Sequence, residues 1–79
     1  MFALRYYPAV KKDIKELDQQ YREKIKKTIE EKLPISPRRS GIPLKGDLSN
    51  CFKLKVRYYR VVYEIQEKDV YKTAVKRIS

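Results

Sequence analysis

The sequence has no histidine and no tryptophan, and only one cysteine, one methionine and two glycines among its 79 residues. A lone cysteine, Cys51, excludes an internal disulfide, and without histidine a zinc site built from protein ligands alone is nearly excluded too. The commonest general acid and base is also missing, so any proton-transfer chemistry falls to Lys, Arg, Tyr or a carboxylate. Long hydrophobic runs are absent. The opening Met1-Phe2-Ala3-Leu4-Arg5-Tyr6-Tyr7 is interrupted by charge and is too short for a signal peptide or a membrane span. The expectation is a cytoplasmic protein with no membrane, metal or cofactor.

What is present is positive charge and tyrosine. Twenty Lys and Arg against ten Asp and Glu leave a formal charge of +10 and a pI near 9.8. Such an excess attracts polyanions: nucleic acid, anionic lipid or an acidic protein. The length allows one domain, residues 1–79, with a thin core, since chains of this size bury only roughly 60% of the surface exposed on unfolding. The seven tyrosines bring large rings whose hydroxyls need a partner or water, which places several at the rim of that core.

Along the chain, Phe2, Leu4 and Tyr6 alternate with Ala3, Arg5 and Tyr7, as in a strand. Pro8 suits the first position of a helix, and Val10, Ile14 and Leu17 follow at helical spacing. Asp18 is placed to cap a second helix whose buried stripe is Tyr21, Ile25, Ile29 and Leu33. The other face of that helix mixes Arg22, Lys24, Lys26, Lys27 and Lys32 with Glu23, Glu30 and Glu31, and reads as a solvated surface. Pro34 and Pro37 end it, and Ile35 to Asp47 reads as a loop.

The most regular segment follows. Phe52, Leu54 and Val56 alternate with Lys53, Lys55 and Arg57; Tyr59, Val61, Tyr63 and Ile65 alternate with Arg60, Val62, Glu64 and Gln66. A two-residue turn at Arg57-Tyr58 sets Val56 against Tyr59, Leu54 against Val61 and Phe52 against Tyr63. All seven apolar residues then share one face. On the other face Lys55 lies directly opposite Arg60, with Lys53 one pair away. Opposed like charges destabilise a sheet, and an anion seated between them would offset that cost; an outer face that merely meets water is the plainer reading. Tyr59 and Tyr63 belong to the core in this register, which leaves Tyr58 to meet a ligand. Cys51 reads as a small buried filler at a strand start.

The run Leu44-Lys45-Gly46, then Cys51-Phe52-Lys53-Leu54-Lys55-Val56-Arg57, then Tyr59-Arg60-Val61-Val62-Tyr63, resembles the central part of RelE-type toxins of the RelE/ParE superfamily. The preceding strand, two helices and proline-containing loop come in the same order. The resemblance implies an α+β fold, a small antiparallel-type sheet with two N-terminal helices packed on one face. It implies a type II toxin–antitoxin toxin that cleaves mRNA in the ribosomal A site. Its partners would be mRNA, the ribosome with its 16S rRNA, and a cognate antitoxin that wraps it. Lys53, Lys55 and Arg60 fall on the family's functional basic residues, and Lys45, Arg57 and Tyr58 are candidate RNA contacts. Cleavage of this kind needs the 2′-hydroxyl deprotonated, the phosphorane charge stabilised and the leaving 5′-oxygen protonated. A lysine crowded by other cations can serve as the base, and an arginine can clamp the phosphate.

The C-terminus departs from the family pattern, in which a further strand ending in arginine precedes a short helix bearing a tyrosine. Gln66 to Ser79 is too short for both. In one placement Val70 to Ile78 is the terminal helix: Val70, Tyr71, Ala74, Val75 and Ile78 form an apolar stripe, Tyr71 matches the family tyrosine, and the strand arginine is missing. In the other, Glu67-Lys68 is a turn and Asp69 to Arg77 is the last strand. Arg77 then shares a face with Arg60, Lys72 and Lys76 point to the core, Tyr71 and Val75 point outward, and the stacking tyrosine is missing. Periodicity favours the helix; completeness of the sheet favours the strand. Three functions are compatible with these features: the ribosome-dependent endoribonuclease, a binding module that has lost the chemistry, and a ParE-like gyrase inhibitor. The two spaced lysines favour the first, since gyrase poisoning gives no reason for them.

Overall fold

The computed structural model describes residues 1–46 and 50–78. The elements in chain order are β1 (Ala3–Tyr6), α1 (Pro8–Lys15), α2 (Gln19–Lys32), α3 (Pro37–Ser40), β2 (Ile42–Pro43), β3 (Cys51–Val56), β4 (Tyr59–Gln66) and β5 (Asp69–Arg77). The fold is α+β. One five-stranded sheet runs in the order β1-β5-β4-β3-β2, antiparallel except for the parallel pair of β1 with β5.

Helix α1 starts on Pro8, with the Tyr7 carbonyl accepting from the amides of Val10 and Lys11. Asp18 does stand at the start of α2, but as a backbone cap only: its carbonyl accepts from Tyr21 and Arg22 while its side chain makes no capping bond. The two helices lay Val10, Ile14, Ile25, Ile29 and Leu33 against the inner face of the sheet, where Phe52, Leu54, Val56, Val61, Tyr63, Ile65, Val70 and Val75 meet them. Burying each such side chain is worth about 1.5–3 kcal/mol, and this single layer is the whole core among the described residues.

The β3–β4 hairpin has the expected register, with Val56 opposite Tyr59, Lys55 opposite Arg60, Leu54 opposite Val61 and Phe52 opposite Tyr63. The stretch expected as loop holds more structure: α3 and the two-residue edge strand β2, with Asp47 outside the described residues. Pro43 costs no ladder bond at an edge. Tyr63 ties this stretch down, donating its hydroxyl to the Pro37 carbonyl at 2.6 Å. Gly41 lets that happen, because a Cβ there would collide with the Tyr63 hydroxyl and approach the Lys53 carbonyl at 2.8 Å.

The C-terminal segment is strand, not helix. Glu67-Lys68 forms the turn, with Glu67 in left-handed backbone (φ 53°), and β5 inserts between β4 and β1. The helical spacing of Val70, Ala74, Val75 and Ile78 arises differently: the register slips between Val62 and Tyr63, so that Val62 faces Ala74 and Tyr63 faces Lys72. Thr73 is the extra residue of a β-bulge, its hydroxyl donating to the Val62 carbonyl. The bulge resets the phase of the strand. Lys72 and Val75 both face the core, while Tyr71 and Lys76 face outward.

Candidate nucleic-acid interface

Among the described residues the outer face of the sheet carries no helix, and the pairing sets its side chains in rows. Lys55 lies beside Arg60, and Arg60 beside Lys76. Cα atoms of such directly opposed residues are about 4.5–5.5 Å apart, so three cations cross three strands. The next row holds Lys53, Val62 and Ala74, with Ile42 beside Lys53. Lys53 stands about 7 Å along β3 from Lys55, two strand residues away. Lys55, Arg60 and Lys76 are exposed and Lys53 is half-buried. Among the described residues no carboxylate pairs with any of the four. Strands place them there because each sits out of phase with an apolar residue that the core claims: Leu54 and Val56, Val61, Val75.

Of the residues expected from sequence, Lys53, Lys55 and Arg60 come together. Arg77 does not: it pairs with Tyr59 and so projects to the helix-bearing side. The Thr73 bulge causes this, since one extra residue exchanges the faces of everything after it. Lys76, expected to point at the core, takes the place assigned to Arg77. The sequence held one sign of this. Val70 and Val75, five apart, share a face of a strand only if an extra residue lies between them.

Tyr71 does lie on the outer face, but on a strand and one row beyond Val62 and Ala74, opposite Glu64 and Arg5, with its ring 6.0 Å from that of Tyr7. It lies away from the Lys55–Arg60–Lys76 row. Lys45 is exposed after β2; because Leu44 donates its amide to the Cys51 carbonyl, Lys45 lies at the Cys51 end of β3, opposite the Arg57-Tyr58 turn. Arg57 and Tyr58 are exposed at that turn, Tyr59 is half-buried and Tyr63 buried.

Cys51 opens β3 but is half-buried on the outer face rather than a core filler. Its thiol lies 3.9 Å from a Glu64 carboxylate oxygen, and burial, together with that carboxylate, raises its pKa; this is the opposite of what a reactive thiol requires. Among the described residues no cluster of carboxylates or thiols is placed to hold a metal, and no helix is long and apolar enough to cross a membrane.

The sequence pattern of the ParE toxin of type II toxin–antitoxin systems matches residues 4–77. The chain belongs to this toxin family. The isolated E. coli RelE toxin is 31% identical, superposes with a TM-score of 0.85, and matches over 100% of this chain and 86% of its own. Two more distant structures share the fold. The Mycobacterium tuberculosis RelBE2 toxin–antitoxin complex contains a chain 22% identical, with 96% of each chain covered and a TM-score of 0.86. A chain of the chromosomal ParDE system of P. aeruginosa is 11% identical, covering 100% of this chain and 98% of that one, with a TM-score of 0.80. No curated protein sequence matches significantly. The chain is thus a type II toxin of the RelE/ParE superfamily, and the expected superfamily and fold class are both correct.

Proposed function

We propose that this toxin is a ribosome-dependent endoribonuclease that cleaves mRNA in the A site. The observation that carries the reading is the open row Lys55–Arg60–Lys76 with Lys53 beside it. Stacking like charges on one uncovered face costs stability, and a polyanion bound there offsets the cost. Arg60, central in the row and permanently charged, is suited to hold the scissile phosphate and the charge that grows on it in the phosphorane. Lys53 and Lys55 flank it on β3 and divide the proton transfers, one from the 2′-hydroxyl and one to the 5′-oxygen. Lys76 supplies the fourth cation from β5. Arg77 and Tyr71 have no part in the reaction. The antitoxin partner is supported by the family itself, whose members are toxins of type II toxin–antitoxin systems.

The test is primer extension on mRNA in translating ribosomes, beside a Lys53→Ala/Lys55→Ala/Arg60→Ala variant. Cuts at the decoding site should appear with the unaltered chain and fall by at least about 100-fold in the variant, the scale of losing one transition-state donor. The ParE family match favours a second reading, inhibition of DNA gyrase. Gyrase-linked DNA breaks without mRNA cuts would replace the first reading with the second.

A further inference from the structure

Where the β3–β4 turn meets the first turns of α2, a cleft of about 270 Å³ is lined by Gln20, Tyr21, Lys24, Arg57 and Tyr58. Its chemistry differs from that of the open basic face. Tyr58 is 58% exposed, a large ring left in water at a hairpin tip where a polar residue would serve a turn better. The ring is braced rather than loose. Tyr21 meets it edge-on, with centroids 6.0 Å apart and planes at 71°, and Tyr21 is itself held against Tyr59 at 5.4 Å. Lys24 and Arg57 stand in the lining, which contains no carboxylate among the described residues. The Gln20 amide offers both a donor and an acceptor.

A fixed aromatic ring, two cations and an amide fit a nucleotide: the ring stacks on the base, the cations take the phosphates and the amide meets the base edge. The volume is slightly below the roughly 300–1,000 Å³ of pockets for drug-sized ligands, which suits one unpaired nucleotide and not a helix or a folded RNA element. Arg57 follows Lys55 by two residues and stands in the turn in left-handed backbone (φ 56°), so the cleft lies around the hairpin tip from the basic row, on the helix-bearing side of the sheet. We propose that this cleft is a stacking site for one unpaired RNA nucleotide next to the strand held on the basic face; it rests on the RNA-directed reading of that face. Tyr58 stacks on the base, Tyr21 positions Tyr58, and Lys24 and Arg57 bind the flanking phosphates.

The experiment is titration of the full chain into a short single-stranded RNA carrying 2-aminopurine, whose fluorescence is quenched on stacking. The unaltered chain should quench it. Tyr58→Ala should lose the quenching and weaken binding roughly tenfold, within the range of one base–aromatic stack, whereas Tyr58→Phe should retain both. Lys53→Ala/Lys55→Ala/Arg60→Ala should weaken binding but still quench at saturation. No quenching by the unaltered chain, or equal behaviour of Tyr58→Ala and the unaltered chain, would overturn the site. Loss with Tyr58→Phe as complete as with Tyr58→Ala would also overturn it, since the hydroxyl and not the ring would then be in use. The same fluorophore placed in ribosome-bound mRNA, or in the ribosomal RNA of the decoding site, decides the source of the nucleotide: quenching of the first assigns it to mRNA, quenching of the second to ribosomal RNA, and quenching of neither would overturn the site. Quenching without mRNA cuts in primer extension would refute the nuclease and leave the cleft standing.

Discussion

Lys72 carries its ammonium group into the layer between sheet and helices, where it is fully buried. Its Nζ donates to the Val70 carbonyl at 3.1 Å and lies 4.0 Å from the centre of the Tyr6 ring, and no carboxylate among the described residues pairs with it. Burial lowers its pKa from 10.5 to about 8. Below pH 8 folded and unfolded chains both hold the proton and the penalty is constant. Between pH 8 and about 10 the folded chain releases the proton first, so stability rises with pH by up to about 3 kcal/mol. Above pH 10 the trend reverses, because burial pushes the Tyr63 hydroxyl up to about 12 and the unfolded chain ionises first. Lys72→Met should therefore stabilise the chain at pH 7 by about 2–3 kcal/mol, raise Tm by roughly 10 °C or more, and remove the rise between pH 8 and 10. Thermal melts from pH 6 to 10 check all three; a lower Tm at pH 7 would mean that the amine contributes more than its burial costs.

Strand β5 shows what one residue does to an element. Thr73 is the only residue of the strand without a cross-strand partner on β4. Deleting it would leave Lys72, Ala74, Val75 and Lys76 on the faces they already occupy and turn a bulged ladder into a regular one. A Thr73 deletion should fold cooperatively, with a urea midpoint shifted by no more than about 1 kcal/mol equivalent; loss of the transition would show the bulge to be required. The same residue explains why β5 was hard to read in advance. The β3–β4 hairpin was legible to the pair because two uninterrupted alternations, Phe52 to Val56 and Tyr59 to Ile65, constrain each other. In β5 the alternation breaks at Thr73, and what remains imitates a helical stripe. That single break is why plain alternation puts Arg77, and not Lys76, on the outer face. Helices α1 and α2 were legible from Val10, Ile14, Ile25 and Ile29. The α3–β2 stretch was not, since four residues of helix and two of strand carry no period, and their anchor, Tyr63 to Pro37, spans 26 residues.

At the scale of the molecule the sheet has two unlike sides. Helices and core claim one; the other is left to water and to the Lys53, Lys55, Arg60 and Lys76 cations. Binding of single-stranded RNA should accordingly weaken with salt, each neutralised phosphate adding roughly 0.7 to the slope of log K against log salt. Lys53→Ala/Lys55→Ala should lower that slope by about 1.4 in anisotropy titrations; an unchanged slope would place the RNA elsewhere. The strand order has a further consequence, which concerns time. Strand β5 is the latest of the five to emerge during synthesis, yet it takes the place between β4 and the first-made strand, β1. Until residues 69–77 have left the ribosome, β1 has no neighbour, the core lacks Val70 and Val75, and the cation row lacks Lys76. A chain cut short before residue 69 therefore leaves β1 unpaired and the inner layer open, and such a fragment should not fold.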